Sequence, residues 1–364
     1  MGRLPKLGFS TLDRRPPVRH HPLMSSSKLV KVLSIDGGGI RGYLPAVFLA
    51  EVERRAARPI SGLFDLVVGT STGGIIGLGL AAGKSAAELA EFYPMYGRRI
   101  FGGVDNRSEW DKRLWGSGGN IMQSVNLAAK RIGGPFGGNA LFGGNARHTA
   151  EGLESALKEV FGEMKLSEVP TELAITTFDR LTSSPCVLSS RDARLDSSYD
   201  LLVREVARAT SAAPTYFPPA KLAWAGQARE FIDGGVWANN PAGVAVNESI
   251  AITARRGLQG SAVLLVSLGT GVIPGESVLE GTQSWLGSAR DLIGLATSVG
   301  AGELLAQRAV GNAQYRRFQV VDSRVAGAMN DPSVERLKVL REAADALVAR
   351  ESADIDALIA DLSD

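Results

Sequence analysis

Three short stretches hold residues whose types and spacing could do chemistry: "GTSTG" (69–73), "FIDGG" (231–235) and "DGGGIRG" (36–42). In the first, Ser71 has a glycine two positions away on each side, Gly69 and Gly73. That is the G-x-S-x-G pattern of a serine nucleophile on a sharp strand-to-helix turn. The reason is steric. Such a turn strains the serine backbone and presses the neighbouring positions together, so only small residues fit at 69 and 73. The serine hydroxyl then stands at a helix N-terminus, whose dipole favours developing negative charge. The alternative is a tight βα turn with no chemistry.

A serine nucleophile needs a base. The chain has three histidines. His20 and His21 lie near the N-terminus. His148 closes a glycine-rich stretch and reads as a surface or capping residue. A carboxylate is the better candidate. Asp233 ends a predicted strand and is followed by Gly234 and Gly235. Strand ends on one side of a parallel sheet are where site residues gather. The alternative is a turn aspartate, since Asp-Gly is a common turn pair.

"GGGIRG" (37–42) fits G-x-G-x-x-G after a strand and before a helix. A dinucleotide site would also need an acidic residue ending the second strand. Here "LFDLVV" runs into Gly69, so that reading is set aside. The physical content survives: glycine amides at a helix N-terminus can face an anion, and that anion can be the oxyanion of acyl transfer. "AAGKS" (81–85) is no P-loop, because Leu78 stands where the first glycine belongs. Cys186 is the single cysteine, which excludes an intrachain disulfide and cysteine-pair zinc sites and fits a reducing cytoplasm.

These residues need a scaffold. "LVKVLSI" (29–35) predicts a buried strand, "YLPAVFLAEVERRAAR" an amphipathic helix, and "LFDLVV" (63–68) a second strand leading into an apolar helix over 74–83. Ser85 is a predicted cap for the next helix. Further strands are predicted at 171–179, 185–190, 229–233, 262–268 and 315–321. A helix around 200–220 is expected to break at Pro214. A last helix is expected after Asp331 as N-cap, with Pro332 at N1. Strands alternating with helices imply an α/β fold with a largely parallel sheet covered on both faces.

Charge separates the ends from the body. Residues 1–31 hold seven of the 40 Lys/Arg and one of the 38 Asp/Glu, leaving 33 basic against 37 acidic residues. The body is not a basic nucleic-acid binder. Residues 1–27 read as a disordered basic leader, with contact to anionic lipid as the alternative; Met24 is a second candidate start. Neither a signal peptide nor a membrane span is expected. Residues 97–147 hold twelve glycines among Phe101, Trp110, Trp115, Phe136 and Phe142, with "FGGNA" repeated at 136–140 and 142–146. This is expected to be an excursion or lid.

In this order the three motifs resemble the patatin-like phospholipase family. "ARATSAAPTYFPPA" (207–220), "FIDGGVWANNP" and "LLVSLGTG" look like family stretches too, so the resemblance covers about residues 30–275. It implies a patatin-like three-layer α/β sandwich, related to α/β-hydrolases, with a helical C-terminal region. The catalytic domain would span 28–330, with helices of 331–364 packed on it. It also implies a serine lipid acyl hydrolase acting on membrane glycerophospholipid, with Ser71 as nucleophile and Asp233 as base. Gly38 and Gly39 would form the oxyanion hole with Arg41 beside it, inside the motif framed by Gly37 and Gly42. Asp36 would orient the loop, and Asn239 and Asn240 would cap the helix that follows. No metal or organic cofactor is implied. Some compact bacterial relatives are anti-phage effectors switched on by cyclic nucleotides, so a cyclic nucleotide activator stays open, as does a homodimer; nucleic acid is not an expected partner. The expected place is the cytoplasm, at the inner surface of the membrane.

Overall fold

The computed structural model of the chain describes residues 29–102, 146–258, 261–274, 300–310 and 314–363. The leader and most of the 97–147 excursion, including both "FGGNA" copies except for Ala146, lie outside the described residues.

An eight-stranded sheet organises the fold. The strands are β1 (Val30–Ile35), β2 (Leu66–Thr70), β3 (Glu172–Asp179), β4 (Ser184–Ser189), β5 (Ala220–Trp224), β6 (Gln227–Asp233), β7 (Val263–Leu268) and β8 (Tyr315–Phe318). Their order is β5-β6-β3-β2-β1-β7-β8, with β4 also paired to β3. The pairs β3·β2, β2·β1, β1·β7 and β7·β8 are parallel. The β3·β4, β3·β6 and β5·β6 pairs are antiparallel. Sheets buried on both faces need apolar side chains on both sides of each strand, which is what "VKVLSI" and "VLLVSL" supply.

One face of the sheet carries Leu33, Ile35, Val67, Ile175, Val266 and Phe318. It packs against α1 (Tyr43–Ala56), α2 (Thr72–Ala81), α3 (Ala86–Phe101), α4 (Glu151–Phe161) and α5 (Val203–Thr210). The opposite face, with Val30, Val32, Leu66, Val68 and Leu265, is covered by α6 (Ala242–Arg255) and α7 (Gly300–Val310). Helices α8 (Val334–Arg350) and α9 (Ser352–Ser363) put Leu340, Ala344, Leu347, Ile355 and Leu358 into the same core as α1. The layered α/β architecture is the expected one.

Local departures have physical causes. The second strand starts at Leu66, later than expected, because Asp65 bends the chain and accepts from the Lys31 amide at 3.0 Å. Helix α5 ends at Thr210, ahead of Pro214, and the Ala212 carbonyl goes instead to the Asp233 amide at 3.1 Å. Strand β5 was not expected. It forms a hairpin with β6 through Ala225 and Gly226, both at positive φ (52° and 70°). That is the hand a two-residue hairpin loop needs, but alanine is not its usual signal. Ser333, not Asp331, caps α8, its hydroxyl accepting from the Arg336 amide; Asp331 accepts from Ser333 one turn earlier.

Candidate active site

Ser71 lies between β2 and α2 with φ 55° and ψ −124°. A non-glycine residue there is strained, and surrounding contacts must hold it. A Cβ added at Gly69 would come within 2.4 Å of the Gly73 carbonyl oxygen. One added at Gly73 would come within 2.3 Å of the Ile35 carbonyl oxygen. The turn therefore closes only with glycine at both positions. The Ser71 amide donates to Thr210 Oγ1 at 2.8 Å, and the Thr210 hydroxyl donates to the Thr176 carbonyl at 2.7 Å. Thr70 is tied in as well, through Thr176 Oγ1 and the Ala238 carbonyl, each at 2.6 Å.

Asp233 ends β6 and is buried. Its carboxylate accepts from the Gly235 amide at 2.7 Å, beside the Ser71 turn. Burial pushes this carboxyl up to about 6, and the hydrogen bonds from Ser71 and Gly235 restrain the rise. Gly234 lets the chain pass Thr176, since a Cβ there would meet its Oγ1 at 2.2 Å.

The glycine loop lies across the serine. A Cβ on Gly37 would sit 3.2 Å from Ser71 Cβ and 2.4 Å from Asn239 Oδ1. The Gly37 amide donates to the Asn239 carbonyl at 3.0 Å, and the Gly37 carbonyl accepts from Thr270 Oγ1 at 2.7 Å and Asn239 Nδ2 at 3.4 Å. Ile40 donates its amide to the Met329 carbonyl at 2.8 Å. Between these two anchored amides, those of Gly38 and Gly39 donate no hydrogen bond to the backbone of the described residues. Gly39 has φ 57°, and a Cβ there would strike the Met329 carbonyl at 2.4 Å. Arg41 lies beside the loop, its guanidinium 3.5 Å from the Gly271 carbonyl and 3.6 Å from Met329 Sδ. Gly42 lets the following turn pack on Thr72 and Tyr93, whose hydroxyls are 2.6 Å apart.

Ser71, Asp233, Gly37, Gly38 and Gly39 are thus drawn together. Two expectations change. Pro241 is the N-cap of α6; Asn240, one residue earlier, accepts from the Ala242 amide through its Oδ1 at 3.0 Å, and Asn239 braces Gly37. His148 is buried, with its ring 5.8 Å from that of Phe101 and 5.7 Å from that of Phe217, and its Nε2 3.0 Å from Asn330 Nδ2. The aromatic pair at the end of α3 and before β5 encloses it, which a surface residue would not need. Sequence reasoning missed Thr210, Thr176, Thr270, Arg317 and Met329. Thr210 and Thr270 sit inside stretches that already looked like family signatures. Among the described residues no group of three or more His, Cys, Asp or Glu is placed to hold a metal ion, and no helix is long and apolar enough to cross a membrane.

The model of the Patatin family, described as patatin-like phospholipase, matches residues 33–246, a span that includes the serine turn, the glycine loop and Asp233. The chain belongs to the patatin-like phospholipase family. Patatin-like protein 2 of Oryza sativa subsp. indica is 32% identical over 232 residues, 59% of this chain and 51% of its own. Patatin-like protein 4 of Arabidopsis thaliana is 33% identical over 230 residues, 58% of this chain and 50% of its own. The chain thus spans about half the length of these plant relatives. A protein named cGAMP-activated phospholipase, from Pseudomonas aeruginosa, is 30% identical over 297 residues, 80% of this chain and 78% of its own. The patatin-like match ends at Val246, so β7, β8 and the loop around Met329 lie beyond it.

Proposed function

We propose that the chain is a serine acyl hydrolase that cleaves fatty acyl esters of membrane glycerophospholipids through a Ser71–Asp233 dyad. The observation that carries this is the meeting of a serine held at positive φ at the end of β2 with a buried aspartate at the end of β6, whose carboxyl the Ser71 side chain helps to keep ionised. Ser71 Oγ attacks the ester carbonyl carbon as Asp233 takes its proton. The carbonyl oxygen becomes an oxyanion received by the Gly38 and Gly39 amides, with the Arg41 charge adding positive potential beside them. The tetrahedral species collapses, the lysolipid alkoxide leaves, and the proton on Asp233 passes to it. A water then gives its proton to Asp233 and attacks the acyl-enzyme, freeing the fatty acid and returning the proton to Ser71. This sequence requires no metal or organic cofactor.

A base must be unprotonated to act. A carboxyl near 6 is mostly ionised at neutral pH and is more basic than an exposed aspartate. The proposed setting is the cytoplasm, with action at the inner face of the membrane. The likeness to a relative named for cGAMP activation supports a finer proposal: a phospholipase effector of anti-phage defence, switched on by a cyclic nucleotide. The reading from another class is a nucleotide-sensing protein on the same scaffold without catalysis, and the intact dyad counts against it. Covalent labelling by a fluorophosphonate probe separates the two. Labelling of the wild type that is lost in Ser71→Ala supports the hydrolase; absence of labelling in both refutes it. Lipid mass spectrometry of cells expressing each form would identify the ester cleaved.

A further inference from the structure

A buried ion pair at the foot of the glycine loop is left unused by the dyad. Asp36 is 1% exposed and stands where β1 gives way to Gly37. Its two carboxylate oxygens accept from the two Nη atoms of Arg317, at 3.0 and 2.5 Å. Arg317 lies two strands away. Ser34 of β1 pairs with Ser267 of β7, and Ser267 pairs with Arg317 of β8. Neighbouring strands are about 4.8 Å apart, so the side chain reaches across roughly 10 Å of sheet. On the way it donates to Ser267 Oγ at 2.7 Å. A planar fork on a long stem can make all these bonds at once; an ammonium cannot present two donors to two carboxylate oxygens in that fixed geometry.

The pair fixes the first residue of the loop. Thr270 then holds the Gly37 carbonyl, and Met329 holds the Ile40 amide. The direction of the Gly38 and Gly39 amides follows from where those fixed points stand. These three anchors come from chain beyond residue 246, outside the span matched by the family model, while Asn239, which holds the Gly37 amide, lies inside it.

We propose that Arg317 is a positioning residue for acyl transfer: by clamping Asp36 across two strands it aims the Gly38 and Gly39 amides at the developing oxyanion. The proposal rests on the acyl-hydrolase reading above. Arg317 touches no reacting atom and acts through Asp36. A buried ion pair contributes little net stability, because desolvation offsets its attraction. The geometry therefore points to orientation as its use.

The test compares full-length wild type, Arg317→Lys and the double variant Asp36→Asn/Arg317→Met. Turnover is measured on p-nitrophenyl butyrate, and amide hydrogen exchange is followed in peptides covering 33–43 and 63–75. Arg317→Lys keeps the charge and loses the fork. It should lose about 10²-fold in kcat, the scale set by a small misplacement of catalytic groups. Its KM should stay within about twofold, because a transition-state contact is what weakens. Exchange should rise at the Asp36, Gly37 and Ile40 amides, which are bonded in the fold, and stay level around Ser71. The double variant leaves no unpaired buried charge, so it should fold and remain as slow as Arg317→Lys. Wild-type kcat in the folded double variant, or unchanged loop exchange in Arg317→Lys, would overturn the clamp. A wild type that hydrolyses no ester would overturn the acyl-hydrolase reading instead, and the exchange measurement would then decide the clamp by itself.

Discussion

Thr70 and Asp233 pair with consecutive residues of β3, Thr70 with Thr176 and Asp233 with Thr177. A strand has two edges, and β4 occupies one of them from Ala174 to Asp179. Strands β2 and β6 therefore share the other edge and meet end to end, one parallel to β3 and one antiparallel. Ser71 leaves β2 where Asp233 ends β6. Backbone register, not a loop, sets the separation of serine and aspartate. A slip of β6 by one residue would turn the carboxylate to the other face of the sheet.

Ser71→Ala and Asp233→Asn should each bring ester hydrolysis to background, and the double variant should be no worse, because residues acting as a unit are non-additive. His148→Ala should keep most of its turnover. It should also melt earlier, by about 1–3 kcal/mol, since a buried ring is removed from between Phe101 and Phe217. Steady-state kinetics below the melting point of each variant would decide this. A folded His148→Ala as inactive as Ser71→Ala would name the wrong base.

The Asp233 carboxyl, near 6 in the fold against 3.8 for the unperturbed group, predicts two pH effects of opposite sense. Activity needs the carboxylate, so kcat/KM should rise through about pH 6 and then level. For stability, the folded state holds its proton more tightly than the unfolded state does. Stability is therefore full below about pH 4 and falls as pH rises through about 6. Asp233→Asn removes that loss. It should be more stable than wild type at pH 7–8 by on the order of 1–3 kcal/mol, with the gap closing at pH 4. Denaturant melts at the two pH values measure it. A wild type more stable than Asp233→Asn at pH 8 would contradict the burial argument.

Much of this site was legible in the sequence because short glycine motifs record backbone contacts. Gly69 and Gly73 are glycines since a Cβ at either would strike a carbonyl group within 2.4 Å, so the steric rule is written locally. The strands were legible where both faces are apolar, as in β1 and β7. What the sequence hid are long-range partners with no local pattern. Thr210 is 139 residues from the amide it holds, and Arg317 is 281 residues from Asp36. Strand β8 reads "YRRF", and nothing local distinguishes Arg317 from its neighbour Arg316. Hairpin β5–β6 was hidden for a different reason, since Ala225 occupies a positive-φ turn position that Asn or Gly would have advertised.

Gly39 and Gly83 both have positive φ, 57° and 86°, but only Gly39 is crowded. Gly83→Ala has nothing within 4 Å of the new Cβ, so it should cost about 1–2 kcal/mol of backbone strain and leave hydrolysis intact. Gly39→Ala meets the same strain and also pushes on the Met329 carbonyl, which must move away from the Ile40 amide. It should lose about 10²-fold or more in kcat, the scale of a lost oxyanion donor. Equal turnover in the two variants would mean that the Gly38–Gly39 amides do not serve the reaction.

Thr210 provides the sharpest test of how the strained serine is held. Its Oγ1 accepts from the Ser71 amide and its hydroxyl donates to Thr176, so one side chain links α5, β3 and the serine turn. Valine has nearly the same shape and no oxygen. In Thr210→Val the Ser71 amide would be buried without an acceptor, at a cost of about 1–3 kcal/mol. Part of that cost can be escaped if the turn relaxes from its positive φ, and the hydroxyl would then leave Asp233. The expected result is a fall in kcat of at least about tenfold with KM little changed, as when a transition-state contact is lost. Thr210→Ser keeps the oxygen and should restore most of the rate. Kinetics of the three proteins on one soluble ester, beside their melting curves, make the comparison. If Thr210→Val keeps the wild-type rate while Thr210→Ser is slow, the packing of the methyl group against Gly74 matters and the hydrogen bond does not.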